Sequence, residues 1–402
     1  MPAAVPRGLA AGRTEELRRA NLSAVLRAVH VGGATTRAEL TRALGLNRST
    51  VGGLTNELMS LGLVAERVSR AGGRSGRPSH LVVPRCDNAV VAVDLQVDRV
   101  EVALVALGGT VVARRSRAHP RGNHDVRQLV GTVSGLAGEV VEAGGDLRWI
   151  GVGVSVPGVV RADGEVEFAP NLGWVHQPFT ALLAERLGGP VQVANDANLG
   201  MLAEHLRGAA LGHHDAAYLA ASVGIGGGFL VGGHLLEGTA GYAGEIGHLQ
   251  VDPGGLPCRC GATGCWETTA GENRLLTLAG RPPGGGAEAV ADVLSAAERG
   301  EERARRAVDE VSEWCAVGVR AIVNLFNPEV IVLGGSLEQL WQHEQARILA
   351  AVRRMPVIAP TPSVRVVPAA FGRDSSLLGA AELAFESVLA DPQAVRRYPT
   401  RA

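Results

Sequence analysis

Gly244 to Glu267 reads GEIGHLQVDPGGLPCRCGATGCWE, and the rest of the chain is best read outward from it. The stretch sets His248 ahead of Cys258, Cys260 and Cys265 in a run of glycines and prolines with neither helical nor strand period. Three thiolates and one imidazole make a complete tetrahedral shell for zinc. Gly254, Gly255, Gly261 and Gly264 let the backbone turn tightly enough for ligands this close in sequence to converge on one ion. A closed shell leaves no position for water, so the expected zinc is structural: it fixes a loop, and that loop carries Glu245 and Glu267. The competing reading is ordinary buried thiols or a disulfide. Cys258 and Cys260 are one residue apart, too close for an unstrained bridge, and the N-terminal MPAAVPRGLAAGRTEE lacks a secretory hydrophobic core, which points to a reducing compartment. Cys86 and Cys315 lie far off and read as small hydrophobes.

A chain of 402 residues suggests two or three compact units. No apolar run reaches the length of a membrane span, so the expected location is the cytoplasm. The net charge of −1 conceals an asymmetry: residues 1–85 hold 13 arginines against five carboxylates, which leaves the remainder at −9. A basic front end on an acidic body implies that only the front end meets a polyanion. Every cation is arginine, with no lysine in the chain, so the placement of the arginines matters more than their number.

The front end has helical apolar spacing from Glu15 to Val31, after a start that reads as disordered. Thr36-Arg37-Ala38-Glu39 fits a capping box, and Gly45-Leu46-Asn47 turns into a third helix from about Arg48 to Leu61. This is the helix-turn-helix pattern, in which the first turn of the second motif helix faces base edges; here that turn is Arg48, Ser49 and Thr50, with Asn47 as N-cap. Gly52-Gly53 weakens this helix by about 1 kcal/mol per glycine relative to alanine. Two short strands, 63–68 and 80–83, flank the glycine-rich segment 70–78, a wing whose Arg74 and Arg77 can reach phosphates or the minor groove. A three-helix protein-interaction module with a solvated basic loop is the alternative.

From Ala89 the chain alternates buried-looking strands with helices: strands at 90–94, 100–106, 110–114, 150–156, 191–194, 217–221, 229–231 and 328–333, and helices near 126–142, 179–187, 287–298, 302–326 and 377–389. Pro157-Gly158 and Asn195-Asp196-Ala197-Asn198 stand at the carboxyl ends of strands, where open α/β sheets place ligand contacts. Ser222 to Gly228 is a glycine loop of a kind that can cradle phosphate, a weak signal alone.

PGVV at Pro157, PNLGW at Pro170, NDAN at Asn195, the glycine loop at Gly224, GEIGH at Gly244 and the CxC cluster together resemble the ROK family of repressors and sugar kinases, from Ala89 to about Leu389. The resemblance implies an α/β fold: an N-terminal winged helix-turn-helix followed by a two-lobed actin-like ATPase domain with sugar in the cleft. The implied units are 1–85 for DNA, 86–197 for the first lobe with helix 375–390 returning to it, and 198–374 for the second lobe with the zinc loop 244–267. Asn195, Asp196, Glu245, His248 and Glu267 match the family's sugar-contacting positions, and His248 can put one ring nitrogen on zinc and turn the other to a hydroxyl. Asp196 matches the kinases' general base. The family's kinases carry DxGGTK, whereas this chain reads Asp94-Leu95-Gln96-Val97-Asp98-Arg99, and Ser222-Val223-Gly224 stands where they have GTG. No productive ATP site is expected.

The resulting expectation is a non-enzymatic, sugar-responsive transcriptional regulator, a repressor, with operator DNA and a sugar or sugar phosphate as partners, assembled as a homodimer or dimer of dimers. An ATP-dependent sugar kinase with an appended DNA-binding domain is the rival, and a regulator controlled by a partner protein is a third possibility.

Overall fold

The computed structural model of the chain describes residues 7–68, 80–353 and 364–398, with side chains from residue 15 onward. The N-terminal unit is α1 (Arg7–Gly32), β1 (Thr35–Thr36), α2 (Arg37–Leu44), α3 (Arg48–Ser60), β2 (Val64–Val68) and β3 (His80–Pro84). Helix α1 starts well before Glu15, so part of the segment that reads as disordered is helical. The capping box forms: Thr36 Oγ accepts from the Glu39 N–H at 3.1 Å, and Glu39 Oε2 accepts from the Thr36 N–H at 2.7 Å. Gly45 ends α2 at φ 64°, and Asn47 caps α3 by accepting from the Thr50 N–H at 2.8 Å. Gly52 and Gly53 do not interrupt α3. Their low propensity is overridden because Val51, Leu54 and Leu58 are buried in one cluster with Leu22, Val25, Leu26 and Val29 of α1. Strands β2 and β3 pair antiparallel; residues 69–79 between them, the expected wing with Arg74 and Arg77, lie outside the described residues.

The body continues with β4 (Asn88–Leu95), β5 (Arg99–Ala106), β6 (Thr110–Ala118), α4 (Val126–Ala143), β7 (Arg148–Val156), β8 (Val159–Val160), β9 (Val166–Ala169), β10 (Trp174–Gln177), α5 (Phe179–Leu187), β11 (Val191–Asn195) and α6 (Asp196–Arg207). It then adds β12 (Ala216–Ala221), β13 (Ile225–Val231), β14 (His234–Leu235), α7 (Trp266–Ala270), α8 (Glu272–Leu278), α9 (Gly286–Glu298), α10 (Glu302–Phe326), β15 (Val330–Gly334), α11 (Gly335–Arg353), β16 (Arg365–Pro368) and α12 (Ser375–Ala390). Two five-stranded sheets result, ordered β11-β7-β4-β5-β6 and β14-β13-β12-β15-β16. Both follow one design: an antiparallel meander whose first strand pairs in parallel with the fourth, and the fourth with the fifth. Two copies of one α/β unit are the architecture of an actin-like fold.

Helix α12 organises the first sheet. It returns from the far end of the sequence to lie across β4 and β7 and beside α6, and its small residues permit backbone-close approach. A Cβ on Gly153 of β7 would stand 1.8 Å from the Ala380 carbonyl oxygen, and one on Gly379 would stand 2.0 Å from that of Leu199 in α6. The same cluster that holds Phe385 and Val388 of α12 includes Val25 and Leu26 of α1, so the N-terminal unit is docked on the body through a continuous core. Cys315 is buried in α10 as its surroundings suggest, but Cys86 is exposed: it sits in the turn before β4, beyond the reach of any core. Among the described residues, no helix is long and apolar enough to cross a membrane.

Candidate functional site

His248, Cys258, Cys260 and Cys265 converge, one donor atom from each lying within 4.8 Å of the others. Cys258 Sγ stands 3.5 Å from His248 Nδ1, and Cys260 Sγ stands 3.6 Å from Cys265 Sγ. A tetrahedron built on zinc bond lengths has edges of roughly 3.6 Å for S···N and roughly 3.8 Å for S···S. The two shortest edges match such a tetrahedron, and the whole donor set lies within 4.8 Å. Local backbone chemistry makes the convergence: a short turn at Ile246–His248, bridges Gln250↔Cys265 and Pro257↔Thr263, and Gly264 at φ 69°, where a Cβ would stand 1.5 Å from the Asp252 carbonyl oxygen. Burial pushes the Cys258 and Cys265 thiols up, while the Ala262 N–H holds Cys260 down. A cation among them would reverse the effect of burial by supplying the charge that thiolates need. Trp266, directly after the last cysteine, is fully buried against Gly318 of α10 and donates its indole N–H to the Trp314 carbonyl at 2.9 Å, which ties the loop to the core.

Beside this loop a cleft of ≈390 Å³ opens between the two sheets. Asn195, Asp196, Glu245, His248 and Glu267 all line it. Asn195 and Asp196 arrive at the junction of β11 and α6. The Asn195 carboxamide oxygen caps α6, accepting from the N–H groups of Ala197 and Asn198, and its NH₂ donates to the Gly158 carbonyl at 3.0 Å. That residue positions the junction more than it faces solvent. His248 turns Nδ1 to the thiols and holds Nε2 3.8 Å from Glu245 Oε2, so its two nitrogens face the metal-ligating cluster and the cleft respectively. Glu267 accepts from the Cys258 thiol at 3.0 Å through Oε1, and its Oε2 would stand 2.6 Å from a Cβ at Gly224.

Asp94, which sequence reasoning treats only as part of an altered phosphate motif, belongs to this array. It is 4% exposed at the end of β4, and Gln96 donates to it at 2.5 Å. Burial pushes its carboxyl up to about 6. Burial, and then the charge of Asp94, push Asp196 up to about 7. The signal was present in the sequence, a lone carboxylate closing the apolar run Val90-Val91-Ala92-Val93, but its proximity to Asp196 needs the parallel pairing of β4 with β7 and of β7 with β11. The glycine loop also has a packing role: a Cβ at Gly227 would meet Ile246 at 2.5 Å, and one at Gly228 would meet the Ala197 carbonyl at 2.4 Å.

Residues 90–387 match the family model described as ROK family. The chain belongs to the ROK family. It is 28% identical over 378 residues to the xylose repressor of Bacillus subtilis, covering 93% of this chain and 97% of that protein. Its fold matches the crystal structure of a ROK family transcriptional regulator, a homolog of the E. coli MLC protein, with a TM-score of 0.77 at 23% identity over 95% of this chain and 98% of the other. A ROK family glucokinase from Streptomyces griseus, solved with glucose and AMPPNP, matches with a TM-score of 0.64 at 27% identity, over 74% of this chain and 99% of that one.

Ion pairs border the stretch Asp94 to Arg99. Arg114 donates to Glu101 at 2.5 Å and to both oxygens of Asp374 at 2.7 and 2.8 Å. Arg121 pairs with Asp98 at 2.9 Å and approaches Glu272 of α8 at 3.9 Å. In the N-terminal unit, Asn47, Arg48 and Ser49 are exposed at the start of α3 and Thr50 is half-buried; Asn47 also accepts from the Ser49 hydroxyl at 2.7 Å.

Proposed function

We propose that this ROK chain is a sugar-responsive repressor that reads operator DNA through Asn47 to Thr50 and the wing arginines Arg74 and Arg77, and that takes a sugar or sugar phosphate in the cleft. The observation that carries the reading is the carboxylate-rich lining of the cleft. Of the four guanidinium groups that line the cleft, Arg99, Arg114, Arg121 and Arg373, Arg114 is engaged by Glu101 and Asp374 and Arg121 by Asp98. The carboxylates of Asp94, Asp196, Glu245 and Glu267 form an array in the same cleft suited to a sugar's hydroxyls. The name of the Bacillus subtilis relative, a xylose repressor, points the same way. Units 1–85, 86–197 with 375–390, and 198–374 are the corresponding division of labour, acting in the cytoplasm as a homodimer or dimer of dimers.

Zinc is the metal that best suits three cysteines and a histidine at the observed spacings. When bound it supplies positive charge and a fixed tetrahedral centre. His248, Cys258, Cys260 and Cys265 would hold it, and the loop would then present Glu245, His248 and Glu267 to the ligand. Asp196 orients a hydroxyl as an acceptor.

One observation favours the kinase reading: an Asp196 carboxyl pushed up to about 7 is suited to general-base work. An ATP-dependent phosphorylation assay over hexoses, pentoses and amino sugars separates the two. Turnover above roughly 1 s⁻¹ makes the chain an enzyme. Sugar binding by calorimetry without turnover, together with a sugar-dependent loss of operator affinity, supports the repressor.

A further inference from the structure

Helix α6 joins the cleft to the DNA-binding unit. Its first residue is Asp196 and its last is Arg207, so by the rise of an α-helix it spans roughly 18 Å. It is held as a rigid rod: Ala197 to Met201 are buried, Ser376 of α12 donates to the Asp196 carbonyl at 3.0 Å, and Gly379 lets α12 pack directly on its backbone. At the far end Arg207 enters the junction with α1. Its Nε donates to Glu382 Oε1 at 2.7 Å, and one terminal nitrogen reaches the carbonyls of Val31 at 3.3 Å and Gly108 at 3.2 Å. Val31 lies in the last turn of α1, whose carbonyl end favours a cation.

The other Glu382 oxygen, Oε2, meets Nε2 of His30, also in α1, at 2.8 Å. The Gly108 N–H donates to His30 Nδ1 at 3.0 Å. A backbone N–H can only donate, so Nδ1 bears a lone pair, His30 is neutral, and its Nε2–H donates to Glu382. His30 is fully buried, Glu382 is 5% exposed, and Phe385 packs on the imidazole with ring centroids 4.9 Å apart. One unit charge on Glu382 is thus balanced by one on Arg207 at a junction of four segments: α1, the turn at Gly108, α6 and α12.

We infer that Arg207, Glu382 and His30 are positioning residues that convert ligand occupancy at Asp196 into a change at the DNA-binding unit, acting through α6. Such a network has discrete partners rather than a continuous range of positions. A movement of α6 that displaces Arg207 leaves a buried charge unpaired, so the junction must reorganise with it. These side chains touch neither cleft nor DNA, so they set the coupling between the two rather than either affinity. The inference rests on the reading of the chain as a sugar-responsive repressor.

The test uses the full chain, a duplex selected by it from random DNA, and D-xylose and D-glucose as probes. The unaltered chain is expected to lose operator affinity by about 30-fold when sugar is added, within the usual range of allosteric coupling. The double variant Arg207→Met with Glu382→Leu removes both charges at similar volume, a change that buried pairs commonly tolerate. It should bind sugar and, without sugar, operator within about threefold of the unaltered chain, while the sugar effect shrinks to about threefold or less. Arg27→Ala with Glu386→Ala removes an exposed ion pair between the same two helices, α1 and α12, and should keep the full effect. If the first double variant does not fold, Glu382→Gln is read in the same way. A double variant that keeps the 30-fold effect overturns the inference, as does one that weakens operator binding equally with and without sugar. An unaltered chain with no response to either sugar, in contrast, removes the repressor reading itself.

Discussion

Glu267 Oε1 lies 3.0 Å from Cys258 Sγ, so a cleft carboxylate and a thiol of the candidate metal cluster are in direct contact. A metal held by this cluster would therefore be felt where a ligand binds. Cys260→Ser removes a soft anionic donor that the other three cannot replace. The expected result is a fall from about one zinc per chain to none by elemental analysis and a loss of sugar affinity of about tenfold or more by calorimetry. Operator affinity should stay within about threefold, because the N-terminal unit has its own inner helix packing. Unaltered protein purified without chelator and free of zinc removes the metal assignment.

Asp196, pushed up to about 7 by burial and by Asp94, gives the cleft a pH dependence. A sugar hydroxyl donates to the ionised carboxylate, so sugar affinity should rise between pH 6 and pH 8. Stability should move oppositely. The folded chain holds this proton more tightly than the unfolded one, so the group's contribution is fully present below the unfolded value near 4 and is lost as pH rises through about 7. Asp196→Asn should accordingly raise the melting temperature at pH 8 by about 2–4 °C and leave it nearly unchanged at pH 4. A flat comparison across that window contradicts the burial argument.

Gly153→Ala tests the packing of α12 on β7. The new Cβ would meet a backbone oxygen at 1.8 Å, and neither a strand nor a helix can yield locally. Overpacking of this kind costs about 3 kcal/mol or more. Denaturant unfolding should show that loss, whereas Gly131→Ala in α4, where a Cβ meets nothing within 4 Å, should be neutral or slightly stabilising.

At the DNA-binding end, Arg48→Ala should weaken operator binding by about 1–3 kcal/mol while sparing non-specific binding. Arg74→Ala and Arg77→Ala should lower both and reduce the slope of log affinity against log salt by about one each. An unchanged slope in both variants removes the wing from the interface. Asn47→Ala should cost about 1 kcal/mol of stability as well, because its side chain caps α3.

Chemistry that depends on neighbours in sequence is legible in the chain itself. The capping box at Thr36 and Glu39, the cap at Asn47, and a Cys-x-Cys loop rich in glycine each close within a few residues, so residue type and spacing suffice to foretell them. Periodicity likewise marks the long amphipathic helix α10 at its observed bounds. Helix α11 escapes that logic: it runs through Gly335-Ser336 and bends at Glu344, so no single apolar stripe runs its length.

Pairings across hundreds of residues belong to the tertiary structure. Nothing in the sequence around Glu382 connects it with His30 or Arg207, and nothing around Asp94 connects it with Asp196. The parallel pairing of β4, β7 and β11 brings the two aspartates to one end of a sheet, and the return of α12 over that sheet carries Glu382 to the foot of α1. Burial then does what sequence cannot register. A carboxylate removed from water is either pushed up, as Asp94 and Asp196 are, or held ionised by partners that outweigh desolvation, as Glu382 is by His30 and Arg207. The residue type is the same in both cases, and the surroundings assembled by the fold decide which of the two it becomes.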